Sequence, residues 1–265
     1  MLSTDHPLFE ARRLGVAFRG RRTSSTVTAL AEVDLQWKRG EILGLVGGSG
    51  SGKTTLGRTL MGLQQPSTGQ VLYQGELLDS ALSKHSFRRQ VQMIFQDPYQ
   101  SLNPRRTVGQ QVTEGLDIHK IGKSESERVA LAVSALERSG LEPADRYWNS
   151  YPHQLSGGQR QRVVIAAALA VSPQALVCDE PVSALDVSVR SQVLQVLERL
   201  RSSHGIGLLF ITHDVGLAWA LCDRVAVLHQ GRLVECGTTE SVLGDPQEPY
   251  TRALLSAMPR PPSRA

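Results

Sequence analysis

The sequence predicts an α/β fold in which helices cover a largely parallel sheet. Short apolar runs, typical of buried strands, alternate along the chain with stretches that carry a helical apolar period. The strand-like runs are 41–46, 91–95, 175–178 and 208–211, and the clearest helical stripe comprises Val193, Val196, Leu197 and Leu200. Strands that alternate with helices indicate a parallel sheet that is covered on both faces.

The middle of the chain is predicted to be helical. Ser124 and Glu127 have the spacing of a capping box, and apolar residues follow at the helical period from Val129 to Leu136. Gly140 would end this helix.

A glycine-rich turn follows the first strand-like run and precedes a helix-prone stretch, 54–63. The turn fits the pattern G-x-x-x-x-G-K-[ST] in the strand-to-helix context that the pattern requires, so we prefer this interpretation to a featureless Gly/Ser turn. Its glycines would let N–H groups converge on phosphate oxygens, Lys53 would reach the β- and γ-phosphates, and Thr54 would bind Mg²⁺. The predicted nucleotide-binding residues are Gly47, Gly48, Ser49, Gly50, Ser51, Gly52, Lys53, Thr54 and Thr55.

Acidic and polar side chains follow three of the strand-like runs. Asp179 could hold Mg²⁺ and Glu180 could act as general base, although two acidic residues at a strand end can also be merely solvated. His213 should emerge at the same sheet edge and could contact the γ-phosphate, the alternative being a structural histidine. The amide of Gln96 could bind Mg²⁺ or the attacking water.

Composition argues against several classes of protein. The 265 residues include 29 basic and 25 acidic side chains, and the net charge of +4 is too small for a nucleic-acid scaffold without a concentrated patch. We interpret the nearest such group as a solvated surface or as neighbours of a polyanionic ligand. It comprises Arg12, Arg13, Arg19, Arg21 and Arg22.

No segment of the sequence predicts a membrane span. The longest apolar run, 163–171, has nine residues, about half of the roughly 18 that a spanning helix needs. The N-terminus has neither a basic start nor an apolar stretch, so we expect no signal peptide and a cytoplasmic chain. The widely separated Cys178, Cys222 and Cys236 predict reduced thiols, with no disulfide and no zinc site.

The run Leu155-Ser156-Gly157-Gly158-Gln159 resembles the signature of ATP-binding cassette (ABC) ATPases, and the other motifs stand in that family's order over nearly the whole chain. The resemblance implies a Walker A loop at 47–54, the Q-loop glutamine Gln96, the signature Ser156, Gly157, Gly158 and Gln159, the Walker B aspartate Asp179, the base Glu180, a D-loop ending at Asp186 and the switch histidine His213. It also implies that Phe18 stacks on adenine where the family usually has tyrosine, against the alternative of a core phenylalanine.

The fold that the resemblance implies is a P-loop NTPase (RecA-like) core with an N-terminal antiparallel β portion around 8–40. One nucleotide-binding domain would cover 1–265, with a helical insertion at 97–162 and a C-terminal extension at 236–265. Ser156, Gly157 and Gly158 would expose N–H groups before the helix-prone stretch 161–170, as a second anion site. In the family, two such domains pair head to tail, and each signature closes over the ATP of the partner.

Two further stretches, 95–105 and 249–255, resemble ATPases of dipeptide, oligopeptide and nickel importers, and 179–186 resembles their F-type subunit. The implied ligands are ATP and Mg²⁺. The implied partners are a second ABC ATPase in a heterodimer, two membrane permease subunits and an extracellular binding protein, with this chain at the cytoplasmic face of the membrane. Many relatives carry a cysteine-rich extension for an iron–sulfur cluster, and the ending 261–265 predicts none.

Three alternatives remain. A nickel or metal-chelate importer is the nearest one. A soluble ABC protein acting on ribosomes or DNA is disfavoured, because such proteins carry two cassettes or a long coiled-coil insertion. An unrelated P-loop NTPase, such as a helicase motor, is disfavoured by the complete signature at 155–159.

Overall fold

The computed structural model describes residues 6–19 and 26–257, so the predictions for Arg21, Arg22 and 261–265 lie outside the described residues. The strands are β1 (Phe9–Arg19), β2 (Thr26–Trp37), β3 (Ile42–Val46), β4 (Thr68–Tyr73), β5 (Glu76–Leu77), β6 (Val91–Ile94), β7 (Ala175–Asp179), β8 (Gly207–Ile211), β9 (Arg224–His229) and β10 (Arg232–Thr238).

The α-helices are α1 (Lys53–Leu60), α2 (Leu78–Leu82), α3 (Phe87–Gln90), α4 (Pro98–Ser101), α5 (Val108–Ile118), α6 (Glu125–Arg138), α7 (Asp145–Trp148), α8 (Gly157–Ala170), α9 (Val187–His204), α10 (Val215–Leu221) and α11 (Pro249–Ser256). A 3₁₀ turn at Pro152–Gln154 and a π-helical turn at Glu240–Gly244 complete the set. Within the described ranges, none of the helices combines the length and apolar character needed to cross a bilayer.

The chain forms two compact units, Met1–Phe87 with Gly207–Ala265, and Arg88–Ile206. In the first unit β2, β1, β4 and β5 form an antiparallel sheet in that order. This confirms the predicted N-terminal antiparallel portion and adds β4 and β5, which the sequence did not reveal. Elsewhere in the unit β3 lies between β8 and β9, parallel to both, and β10 pairs antiparallel with β9.

Buried aromatic side chains form part of the core of the first unit. Phe9 stacks on Trp37 with ring centroids 5.3 Å apart and contacts Tyr73 at 4.9 Å. Phe87 meets both Phe9 and Tyr73 edge-on. Burial raises the pKa of the Tyr73 phenol, as expected for a group whose charged form is desolvated.

Helix α1 ends three residues before the end of the predicted stretch 54–63. Gly62 takes the left-handed conformation with φ 64°, and an added Cβ there would lie 2.5 Å from Leu82 Cδ1. Glycine at this position both permits the turn and leaves room for the side chain of α2, so the helix cannot continue.

In the second unit β6 and β7 pair in parallel, while α5 and α6 pack against α8. Ser124 caps α6 as predicted, but the Glu127 carboxylate accepts from the Lys123 N–H and does not close a reciprocal box. The four residues of the predicted stripe at 193–200 are buried along α9. The amphipathic pattern therefore identified this helix and its core face.

Candidate functional site

The glycine-rich turn between β3 and α1, residues 47–52, lies in the first unit and is called the phosphate loop below. Gly47, Gly50 and Gly52 have φ of 152°, 73° and 106°. An added Cβ on Gly47 would lie 2.2 Å from Leu228 O, and one on Gly52 would lie 2.6 Å from Ala29 O. Glycine is thus required twice over, by the backbone conformation and by the approach of two neighbouring strands.

The helix that follows the phosphate loop begins without a side-chain cap. Gly52 is the N-cap residue, no side chain bonds to the helix start, and the first turn carries no acidic residue. The positive end of the helix dipole is therefore not compensated by the helix's own side chains. A helix start of this kind favours an anionic ligand.

Two buried polar groups lie in or directly after the loop. Lys53 Nζ donates to Gly47 O and Gly48 O, both at 2.9 Å, and Lys53 is only 6% exposed. Ser51 is 4% exposed, and its hydroxyl has no hydrogen-bond partner. Because a buried hydroxyl usually has a partner, this one fits a loop that receives polar atoms from a ligand.

Three parallel strands of the first unit end at one edge. Leu45 of β3 is paired with Ile211 of β8, and Val46 is paired with Val227 of β9. His213 follows β8 by two residues and is exposed. The structure therefore brings His213 to the sheet edge at which the phosphate loop begins, as expected from its place after a strand.

Two residues at this edge were missed by sequence reasoning. Tyr250 Oη accepts a hydrogen bond from the Gly48 N–H at 3.0 Å, and the Tyr250 ring stacks on His229 at 3.7 Å between centroids. His229 ends an apolar strand, a signal that could have drawn attention to it. Tyr250 lies about 200 residues from the loop, and nothing local in the sequence connects the two.

Phe18 does not belong to the core. Its side chain is 43% exposed on β1, opposite Val27 of β2, which is 63% exposed. The alternative of a core phenylalanine is wrong, and the ring is available for stacking. A contact with adenine stays a prediction.

The second unit joins two of the predicted catalytic residues. Ile94 of β6 pairs with Cys178 of β7, so Gln96 and Glu180 follow neighbouring strand ends. Gln96 Nε2 donates to Glu180 Oε2 at 3.3 Å, and Glu180 has a positive φ of 46°. A glutamate in this sparsely populated conformation is a feature that functional sites often contain.

The residues beside Glu180 are deeply buried. Asp179 is 4% exposed at the end of β7. Burial, with the neighbouring Asp179 charge, raises the pKa of the Cys178 thiol to about 12, which keeps it protonated at neutral pH. Asp179 is therefore not a solvated residue, whereas Glu180 is half-buried. The buried carboxyl oxygens of Asp179 suit a hard cation.

The segment that follows Glu180 is held by hydrogen bonds to its backbone. Ser183 donates to Glu180 O through both its N–H and its hydroxyl, at 3.2 and 3.1 Å. The Arg190 guanidinium donates to Leu185 O at 2.7 Å. Asp186 then begins α9 as its N-cap residue, although its side chain makes no capping bond.

The signature residues form a capped helix start. Ser156 Oγ accepts from the Gln159 N–H, and Gln159 Oε1 accepts from the Ser156 N–H at 2.9 Å. The expectation that Ser156 exposes its own N–H group is wrong, because that group is used inside the motif. The helix also starts at Gly157, ahead of the predicted 161–170, since the capping box satisfies its first turn.

The second signature glycine is required by packing. An added Cβ on Gly158 would lie 2.1 Å from Val189 Cγ1 of α9, whereas one on Gly157 would lie 3.5 Å from Leu185 Cδ2. Gly158 thus lets α9 approach α8. Gly157 leaves the helix start open.

Comparison with protein families agrees with the order of these motifs. The ABC transporter family profile matches residues 30–183, and a profile described as oligopeptide/dipeptide transporter, C-terminal region, matches residues 234–265. The chain belongs to the ABC transporter family. This confirms the resemblance to ABC ATPases that the signature and the phosphate loop indicated.

Relatives and solved structures give the same family. The chain is 47% identical over 97% of its length to a putative peptide import ATP-binding protein of Brucella ovis, of which it covers 80%. It is 45% identical to the oligopeptide transport ATP-binding protein OppF of Bacillus subtilis, over 89% of this chain and 78% of that protein. The ATP-binding cassette MJ0796, in a dimeric post-hydrolysis state bound to ADP and Pi, matches with TM-score 0.76 at 30% identity, over 87% of this chain and 98% of that one.

Proposed function

We propose that this chain is the ATP-hydrolysing subunit of an importer of peptides. The phosphate loop carries the proposal for ATP, because its buried Ser51 hydroxyl and Lys53 ammonium lie where a polyphosphate would supply acceptor oxygens. The match of 234–265 to the oligopeptide/dipeptide transporter region and the names of the relatives support peptides as the cargo.

In this proposal the phosphate loop and the start of α1 bind the phosphates. Lys53 exchanges its two carbonyl partners for phosphate oxygens, and backbone N–H groups from Ser49 to Thr55 donate to the same anion. The exposed ring of Phe18 stacks on adenine, and His213 contacts the γ-phosphate. The charge of the ligand thus replaces interactions that the loop now makes with itself.

The chemistry of the donor set fits Mg²⁺. Thr54, Gln96 and Asp179 offer hydroxyl, amide and carboxylate oxygens, which are the ligands that this hard cation prefers. When bound, Mg²⁺ would neutralise phosphate charge. Glu180 would accept the proton of the attacking water, and the Gln96 amide would hold the Glu180 carboxylate in place.

Hydrolysis in this proposal needs a second ATPase. The signature residues 156–159 and Asp186 serve the ATP held by a partner domain in a head-to-tail heterodimer. Two membrane permease subunits and an extracellular binding protein complete the assembly, with this chain peripheral at the cytoplasmic face. Most of the backbone and side-chain groups of the capping box are already paired, so the signature keeps its shape before the partner arrives.

Glu180→Gln tests the assignment of the base in the assembled transporter. The amide keeps the shape but cannot accept a proton, so turnover should fall about 10²- to 10⁴-fold. ATP binding should persist, and an ATP-bound closed dimer should accumulate on size exclusion. Glu198→Gln, an exposed change on α9, is the matched control. Wild-type hydrolysis by the Glu180 variant would refute the assignment.

Ser156→Arg tests whether the signature acts on the partner's ATP. A bulky cation should block that surface, so hydrolysis by the assembly should drop while the ATP affinity of the isolated chain stays near normal. An equal loss of affinity in the isolated chain would mean that the signature acts on the chain's own nucleotide.

The cargo can be tested with the complete assembly in vesicles. A peptide-loaded binding protein should raise the ATPase rate several-fold, more than empty binding protein does, and labelled peptide should enter. Stimulation by nickel complexes without any effect of peptides would overturn the peptide assignment in favour of a metal-chelate importer.

A further inference from the structure

The C-terminal helix α11 contacts the phosphate loop through one side chain. Tyr250, the second residue of α11, accepts the Gly48 N–H at its hydroxyl oxygen, at 3.0 Å. An added Cβ on Gly48 would lie 3.2 Å from the same oxygen. The hydroxyl therefore accepts a hydrogen bond from the loop, and it lies where it would crowd any side chain at position 48.

The ring that carries this hydroxyl is itself held in place. His229 stacks on it, with centroids 3.7 Å apart and planes inclined by 27°. His229 ends β9, and the carbonyl of the preceding Leu228 is the atom against which Gly47 lies. The end of β9 therefore supports the loop directly at Gly47 and, through the tyrosine, at Gly48.

The segment around Tyr250 is anchored to the rest of the first unit. Thr251 is completely buried, and Val242 and Leu243 of the preceding π-helical turn are buried as well. The Gln247 N–H donates to Glu235 Oε1 at 2.8 Å, which ties the approach to α11 to β10. Tyr250 thus contacts the loop from a segment that is packed against the rest of the first unit.

A loop with three positive-φ glycines gains little rigidity from its own sequence, because glycine loses much conformational freedom on ordering. The Gly48 N–H is taken by the tyrosine, so it is a point of attachment and not one of the donors offered to an anion. We propose that Tyr250 is a positioning residue that holds the phosphate loop in its nucleotide-binding shape and thereby couples α11 to nucleotide affinity. This inference rests on the proposed role of the loop in binding ATP.

Coupling of this kind is reciprocal. If α11 in its packed position favours nucleotide binding, bound nucleotide must stabilise that packed position to the same extent. A partner or modification that displaced α11 would lower nucleotide affinity without touching the loop.

Tyr250→Phe is the decisive variant, because it keeps the ring on His229 and removes only the hydroxyl. One hydrogen bond to the loop predicts a loss of ADP and ATP affinity of about three- to tenfold in the isolated chain by calorimetry. In the assembled transporter KM for ATP should rise by the same factor while kcat at saturating ATP stays unchanged. Tyr147→Phe, in the second unit, is the matched control.

Three further experiments test the contact and the stacking that supports it. In ¹⁵N-glycine-labelled protein the Gly48 amide should shift and exchange faster with solvent in Tyr250→Phe. Added ADP should slow hydrogen exchange in 249–256 of the wild type, and less so in the variant.

His229→Ala should weaken nucleotide binding, whereas His229→Phe, which preserves stacking, should restore it.

The outcomes separate this inference from the proposed function. Wild-type protein that binds no nucleotide would refute both. Wild-type binding with unchanged affinity and an unchanged Gly48 amide in Tyr250→Phe would refute the inference alone, as would a fall in kcat at constant KM. Tighter binding by Tyr250→Phe would show that the hydroxyl competes with phosphate, and would overturn the positioning role.

Discussion

The phosphate loop at 47–52 and the signature at 155–159 are both glycine-rich turns that lead into a helix, yet they are built differently. The phosphate loop has glycines at positive φ, no side-chain cap and a buried hydroxyl without a partner. The signature has a reciprocal capping box between Ser156 and Gln159 and no positive-φ residue.

The difference shows that similar composition can meet opposite requirements. In the phosphate loop, glycine permits backbone conformations and the close approach of neighbouring carbonyls. In the signature, Gly158 permits the approach of a helix, while the capping box pairs two N–H groups at the helix start without a ligand. The phosphate loop thus holds a buried hydroxyl without a partner, whereas the signature pairs the N–H groups of Ser156 and Gln159 within its own capping box.

Gly47→Ala should produce the largest effect. The added Cβ would lie 2.2 Å from the Leu228 carbonyl oxygen, and the alanine would have to adopt a φ of 152°. Neither the neighbouring backbone nor the alanine can relax easily. We expect the free energy of unfolding to fall by about 3 kcal/mol or more, measured by urea denaturation. An unchanged denaturation midpoint would show that the phosphate loop does not require glycine at position 47.

Gly158→Ala should cost less, because its Cβ would collide at 2.1 Å with a side chain and not with backbone. A loss of about 1–3 kcal/mol is expected. The double variant Gly158→Ala/Val189→Ala should recover much of this loss relative to Val189→Ala alone. Strict additivity in the same denaturation experiment would show that Val189 is not the group that requires glycine.

Lys53→Ala should reduce nucleotide affinity about tenfold or more, because it removes a cation that bonds to the most anionic part of the ligand. Ser156→Ala should leave the affinity of the isolated chain unchanged. Calorimetry with ADP and ATP on both variants compares the two turns directly, and equal losses would contradict their assignment to different nucleotides.

Two serine-to-alanine substitutions should give the smallest and most selective difference between the two turns. Ser156→Ala removes a helix cap and should lower the free energy of unfolding by about 1 kcal/mol. Ser51→Ala removes a hydroxyl without a partner, so stability should change by about zero, while nucleotide affinity falls. A matching loss of stability in thermal melts of the Ser51 variant would indicate that its hydroxyl is satisfied inside the protein.

Much of the candidate site could be predicted from the sequence because the features are local. The phosphate loop lies between a strand and a helix as predicted, and the apolar stripe of α9 is buried. The meeting of Gln96 with Glu180 could be expected only in outline, since adjacency of β6 and β7 decides which strand ends share an edge. The hydrogen bond between Gln96 and Glu180 could be identified only once the register of β6 and β7 was known.

The sequence by itself determined the periodic elements and the phosphate loop, because helical and strand periods and glycine conformations are set by neighbouring residues. Tertiary structure decided the rest. The pairing of β4 with β1, the end of α1 at Gly62 against Leu82, and the bond from Gly48 to Tyr250 join residues that are distant along the chain. Such contacts depend on how completed strands and helices pack, which no local pattern specifies.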